Sequence, residues 1–160
     1  MHPFAPDPRI ALLQSMPFFG GLSADTVEFL LGLTTVVKRG ENERFYSEGD
    51  AAQSVYVLES GRVGMFKHWQ GRQHQIKTLH GGDSFGEMAL IDLGPRNTTT
   101  IALAESSALE LTASDLYRLY EHNVGQFAVV YMNMARDVCR RLREADNRAF
   151  LRHMIDFNPD

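Results

Sequence analysis

Between Thr34 and about Leu111 glycine-bearing turns cut every apolar run short, so no helix longer than a turn or two fits there. Val36-Val37 precedes Arg39-Gly40-Glu41, Phe45-Tyr46 precedes Glu48-Gly49-Asp50, and the alternating stretch from Ser54 to Leu58 ends at Ser60-Gly61. Val63 to Trp69 runs on to Gly71, Gln75 to Leu79 stops at Gly81-Gly82-Asp83, and Thr98 to Leu103 and Ser107 to Leu111 alternate polar with apolar. Turns spaced by about 8–12 residues predict short antiparallel strands in a sandwich or small barrel. Met88 to Ile91 is the exception, with the pattern of one short helical turn.

Helical patterns flank this block. Residues 9–15 read as one or two turns stopped before Pro17. Ser23 is an N-cap for a helix from Ala24 to about Leu31, with Asp25 in its favourable first turn. Thr112 and Asp115 form a capping-box pattern for a helix ending near His122. Beyond Gly125, the residues Phe127, Tyr131, Met134, Val138, Leu142, Ala145 and Ala149 recur at helical spacing. The stripe is wide in its first half, which suits packing on the parent domain, and narrow in its second, which suits pairing with another helix. A break is expected at Asn147, with Phe150 to Ile155 folding back as a small cap.

Composition narrows the classes. A chain of 160 residues is one domain that buries roughly 70% of its unfolded surface without a staple. The single Cys139 excludes an intramolecular disulfide, agrees with a reducing compartment, and reads as a small packing residue beside the stripe. No apolar run is long enough to span a membrane, and the N-terminus lacks a signal-peptide pattern, so a cytoplasmic location is expected. Net charge is −4, which gives no support for nucleic-acid binding. The six arginines between Arg136 and Arg152 read as a solvated helix face, with Arg140–Glu144 as an i,i+4 pair.

The chemistry is concentrated between Gly81 and Thr100. Gly86 permits close backbone approach, and N–H groups opening a short helical turn can receive an anion. Arg96 can add a charge-assisted contact to phosphate oxygens. Glu87 cannot favour phosphate but can accept hydrogen bonds from sugar hydroxyls. One acid and one arginine therefore describe a sugar-phosphate ligand; a Glu87–Arg96 salt bridge at a turn is the plain alternative.

The run Phe85-Gly86-Glu87 with Pro95-Arg96 resembles the phosphate-binding cassette of the cyclic nucleotide-binding domain family, which includes the bacterial catabolite activator and protein kinase A regulatory subunits. The resemblance extends to Met16-Pro17-Phe18-Phe19-Gly20, to Ser47-Glu48-Gly49-Asp50 and to Val55 through Val63, and covers roughly residues 10–120. It implies a mainly β fold: an eight-stranded jelly-roll β-barrel with flanking N-terminal helices and a long C-terminal helix. It divides the chain into a binding unit over 10–123 and a lid or dimerisation helix with a short cap over 124–156. By resemblance, Glu87 binds the ribose 2′-hydroxyl and Arg96 the equatorial phosphate oxygen. Backbone at Gly86, Glu87, Asn97 and Thr98 completes the anion nest, with Met88 and Ala89 lining the site. Asn97 departs from the small or hydroxyl residues usual after the arginine.

In register with the activator's dimer helix, Arg141 and Leu142 replace two hydroxyl residues that meet adenine, so Arg141 is placed beside the purine or in solvent. The implied function is a non-catalytic sensor of cyclic AMP, or of cyclic GMP, whose ligand moves the C-terminal helix. No cofactor is implied. The expected partners are a second copy through the helix 127–149 and a downstream protein. Sequence-specific DNA binding is not expected of this chain. The alternative is an interaction module with a vestigial or constitutively filled pocket. His68, His74 and His80 recur every six residues but lack a His-x-His pair with a nearby acid, so a metal-dependent enzyme is set aside.

Overall fold

The computed structural model describes residues 7–157; the N-terminal residues read above for a leader lie outside that range. Helix α1 (Pro8–Gln14) and a 3-10 turn (Pro17–Phe19) lead into α2 (Ala24–Leu31), which the Ser23 side chain caps by accepting from the Thr26 N–H. Eight strands follow: β1 (Thr35–Arg39), β2 (Arg44–Tyr46), β3 (Ser54–Ser60), β4 (Arg62–Trp69), β5 (Arg72–His80), β6 (Ser84–Phe85), β7 (Thr99–Ala102) and β8 (Ser106–Thr112). Helix α3 (Met88–Asp92) lies between β6 and β7, and α4 (Ala113–His122) and α5 (Val124–Phe157) end the chain.

The closed eight-stranded jelly-roll β-barrel expected from the resemblance does not form. The strands divide into two separate four-stranded antiparallel sheets, ordered β1-β8-β3-β6 and β2-β7-β4-β5, with helices at their flanks. Closure would require β1 to bond β2 and β6 to bond β5. β2 has three residues and a shifted register, and β6 has two, too little ladder to join the sheets.

Strand alternation divides the interior into two cores. Along β3, Val55 and Val57 face the helices, while Tyr56 and Leu58 face the opposite sheet. On β8, Leu111 and Leu109 pair with Val55 and Val57, and Ala108 faces inward. β3 is therefore buried on both faces over Ser54–Leu58, whereas the edge strand β1 is largely exposed. Between the sheets, Phe85 meets Phe45 and Tyr56, each at 5.1 Å between ring centroids.

The capping box at Thr112 and Asp115 is present, with the Asp115 N–H donating to Thr112 Oγ1 at 3.1 Å and the Thr112 N–H donating to Asp115 Oδ2 at 2.8 Å. Two expectations for the last helix fail. It passes unbroken through Asn147 to Phe157, so no cap folds back, and Arg140 pairs with Asp137 while Glu144 reaches Lys77 at 3.8 Å. Nothing at Asn147 interrupts the ladder, since asparagine weakens a helix interior only slightly. Gly125 lies inside α5, and the break from α4 falls at Asn123. Cys139 is exposed rather than a packing residue. The first half of α5 is anchored: Val130 and Met134 are fully buried, and Asn133 Nδ2 donates to the carbonyls of Phe18 at 3.0 Å and Gly20 at 2.8 Å. Among the described residues no helix is long and apolar enough to cross a membrane.

Gly61 turns β3 into β4 at φ +95°, where a Cβ would fall on the Glu105 carbonyl and Ser106. Gly61→Ala is expected to destabilise the chain by about 2 kcal/mol or more, from left-handed strain plus overlap with backbone. Urea unfolding reads this as a lower midpoint; an unchanged midpoint contradicts the tight-turn assignment.

Candidate functional site

The short link from β6 to α3 places Glu87 at the head of α3, where its side chain is fully buried. Gly86 precedes it at φ +86°, and a Cβ there would sit 2.5 Å from Arg96 Nη1. Glycine is thus required both by the backbone conformation and by the approach of the arginine.

Arg96 is 4% exposed. Its Nη1 donates to the Gly86 carbonyl at 3.0 Å and its Nη2 to Ser54 Oγ at 3.3 Å. Ser54 in turn donates to Glu110 Oε1 at 2.7 Å, and the Tyr56 hydroxyl donates to the same oxygen at 2.9 Å. The guanidinium carbon lies 4.1 Å from the centre of the Tyr46 ring. A buried cation is costly unless partnered, and here a carbonyl, a carboxylate-backed hydroxyl and an aromatic face share that role.

All eight residues predicted as site residues line one cavity. Gly86, Glu87, Met88 and Ala89 come from the cassette turn, Arg96, Asn97 and Thr98 from the approach to β7, and Arg141 from α5; Tyr46 and Met65 complete the wall. Glu87 and Arg96 do not pair with each other among the described residues. Instead the Arg141 guanidinium meets the Glu87 carboxylate, with Asp137 on its other side at 3.1 Å. Burial pushes the Arg141 pKa down, although the group stays protonated at neutral pH. Glu87 Oε1 is the oxygen that Arg141 meets, whereas Glu87 Oε2, Arg96 Nε and Thr100 Oγ1 are buried without a hydrogen-bond partner among the described residues. Such atoms cost about 1–3 kcal/mol each when left unsatisfied.

With Arg141 inserted, the cavity measures about 20 Å³, well short of the roughly 300 Å³ at which small-molecule sites begin. It adjoins a second chamber of about 430 Å³ under the later part of α5. Met65, Met88, Asn97, Thr98 and Arg141 line both, and Ile76, Val138 and Leu142 make the larger one mostly apolar.

Sequence reasoning missed Tyr46, Ser54 and Glu110. Tyr46 and Ser54 were read only as strand residues. The alternation of β2 and β3 was visible, but nothing local says which face meets an arginine some 40 or 50 residues away. The histidines do not converge: His74 pairs with Lys67 and His68 with Gln73 across the β4–β5 hairpin, and His68 Nδ1 lies 3.3 Å from Glu48. Among the described residues no group of three or more His, Cys, Asp or Glu is placed to hold a metal ion.

Behind the cassette, Lys67 bonds Glu48 and also donates to the Asn97 carbonyl at 2.8 Å, tying the turn after β2 to the exit from the arginine. The bond from Lys67, then that from the His68 N–H, holds the Glu48 pKa at about 2. A carboxylate held below its ordinary value of 4.5 stabilises the fold above that pH and loses its contribution as pH falls toward 2. In urea titrations between pH 5 and pH 2, as ~steps of one unit, wild type should lose stability more steeply than Glu48→Gln. Parallel curves would contradict the pairing.

The pattern of a family described as cyclic nucleotide-binding domain matches residues 36–123. The chain is 30% identical over 135 residues to the cyclic AMP receptor protein of Thermus thermophilus, covering 84% of this chain and 61% of that protein. The crystal structure of the Thermus thermophilus catabolite activator protein superposes with a TM-score of 0.74 at 31% identity, over 84% of this chain and 62% of the other. A cyclic nucleotide-binding domain from Methylobacillus flagellatus shares the fold with a TM-score of 0.80 at 21% identity, over 89% and 81% of the two chains. The chain thus spans less than two thirds of the length of the Thermus relative.

Proposed function

We propose a function from one premise: the chain belongs to the cyclic nucleotide-binding domain family. It is a non-catalytic sensor or regulatory module, and its ligand is a purine 3′,5′-cyclic monophosphate, cyclic AMP first and cyclic GMP second. The observation that carries the ligand assignment is the pair of buried, oppositely charged groups in one cavity, each with one polar atom, Arg96 Nε and Glu87 Oε2, left without a hydrogen-bond partner among the described residues. Arg96 Nε is a donor suited to a phosphate oxygen, and the Glu87 oxygens are acceptors suited to a ribose hydroxyl. Backbone at Gly86, Glu87, Asn97 and Thr98 would cradle the phosphate, with Met88 and Ala89 against the sugar. The purine would take the apolar chamber beneath α5, with Arg141 beside it.

Glu87 cannot serve Arg141 and a ribose hydroxyl in the same way. Ligand binding then draws Arg141 off the carboxylate and toward the purine, and α5 follows its side chain. In this reading residues 10–123 bind, residues 124–156 respond, and a downstream protein reads the movement in the cytoplasm. The Arg141–Glu87 contact also favours a second reading, a pocket filled permanently by its own arginine.

Calorimetric titration with cyclic AMP, cyclic GMP and linear AMP separates the two. Wild type should bind a cyclic purine in preference to the linear one, and Arg96→Ala should lose about 2 kcal/mol or more, near 30-fold. No heat from either cyclic nucleotide contradicts the sensor and leaves the filled pocket, whereas equal affinity in Arg96→Ala contradicts the phosphate contact on which the sensor reading rests.

The same helix carries a dimerisation proposal. Met132, Leu142, Phe150, Met154 and Phe157 are exposed along α5, a face suited to a second copy. Sedimentation should show a species of twice the 18.0 kDa chain mass. A lone 18.0 kDa species at high concentration contradicts it.

A further inference from the structure

We infer that Tyr46 is a positioning residue for the anion-binding arginine: its ring seats the Arg96 guanidinium and thereby sets affinity for the phosphate of the ligand. The inference rests on the cyclic-nucleotide reading and adds to it a residue outside the cassette.

The hydrogen bonds to Arg96 reach only the edge of the guanidinium, from the Gly86 carbonyl and Ser54 Oγ. Neither covers its face. Tyr46 does, at 4.1 Å, while Tyr56 is more distant at 5.7 Å. The electron-rich face of a phenol ring attracts a cation, most strongly where water is excluded. Tyr46 is itself 8% exposed and lines the same cavity as Arg96 and Glu87.

The support beneath Tyr46 is firm. It pairs with Thr100 across the β2–β7 ladder, and its ring lies 6.0 Å from that of Tyr56 and 6.2 Å from that of Phe85. Burial raises the pKa of the phenol, so the ring stays neutral. A neutral ring leaves Arg96 its full charge for an anion. An aliphatic side chain would fill the volume but offer the cation no negative face. The guanidinium would then sample more orientations, and binding would have to order it.

The experiment titrates cyclic AMP, and adenosine as a neutral control, into folded wild type, Tyr46→Phe and Tyr46→Leu, with the leucine change repeated in Arg96→Ala. Immobilising a freed arginine costs a side chain's rotamer entropy, so Tyr46→Leu should weaken cyclic AMP by about five- to ten-fold. Tyr46→Phe, which keeps the ring, should restore wild-type affinity. Adenosine should be unaffected, and Tyr46→Leu should cost nothing further where Arg96 is absent. Equal affinity in Tyr46→Leu, a matching loss in Tyr46→Phe, a loss shared by adenosine, or a loss persisting without Arg96 each overturns the assignment. If Tyr46→Leu does not fold, the flexible Tyr46→Met replaces it, and failure of both makes Tyr46 purely structural. Wild type that ignores cyclic AMP overturns the cyclic-nucleotide reading itself, an outcome separate from wild type that binds while Tyr46→Leu binds equally.

Discussion

The burial of Arg96 is the constraint around which the site is built. A guanidinium taken out of water costs several kcal/mol unless its donors and its face are partnered. Meeting that demand recruits four parts of the chain: Tyr46 at the end of β2, Ser54 at the start of β3, Glu110 on β8 behind Ser54, and the Gly86 carbonyl after β6. The two sheets are thus joined at this end by a charge as well as by the aromatic cluster of Phe45, Tyr56 and Phe85. A side chain fixed so thoroughly, yet left with an unpartnered Nε, is arranged to receive something rather than only to hold the fold.

Glu87 has the opposite relation to its surroundings. Its one ion-pair partner among the described residues is Arg141, which arrives from α5 some fifty residues later in the chain. The first half of α5 is bound through Val130, Met134 and Asn133. The second half is held to the body by little beyond Arg141 and the Lys77–Glu144 pair, and most of its side chains are exposed. On the proposed reading, competition for one carboxylate therefore acts on the weakly held part of a long lever. The coupling energy is bounded by what Arg141 gains from Glu87 and from the purine in turn.

Local punctuation was the most legible part of the sequence. Ser23 and the Thr112–Asp115 box start α2 and α4 where the side chains predict, because a cap is a contact between residues three apart. That the eight residues named from the sequence would share one cavity was legible too, as seven lie within thirteen consecutive positions and Arg141 came through the family register. What could not be read was long range. Whether eight strands close into a barrel depends on ladder length at β2 and β6, which alternation does not report. The end of α5 was misread because Asn147 is a weak helix breaker that neighbouring turns override. Tyr46 was invisible as a site residue because its partner lies fifty positions away on another strand.

The central claim is that Arg96 and Glu87 form a two-part receptor for phosphate and sugar from which Arg141 must withdraw. Nitrogen-detected NMR of the arginine side chains during titration with cyclic AMP tests it directly. The Nε–H signals of Arg96 and Arg141 are both expected to shift at saturation, the first as it gains an acceptor and the second as its guanidinium leaves the carboxylate. Signals that stay in place at saturating nucleotide would contradict it.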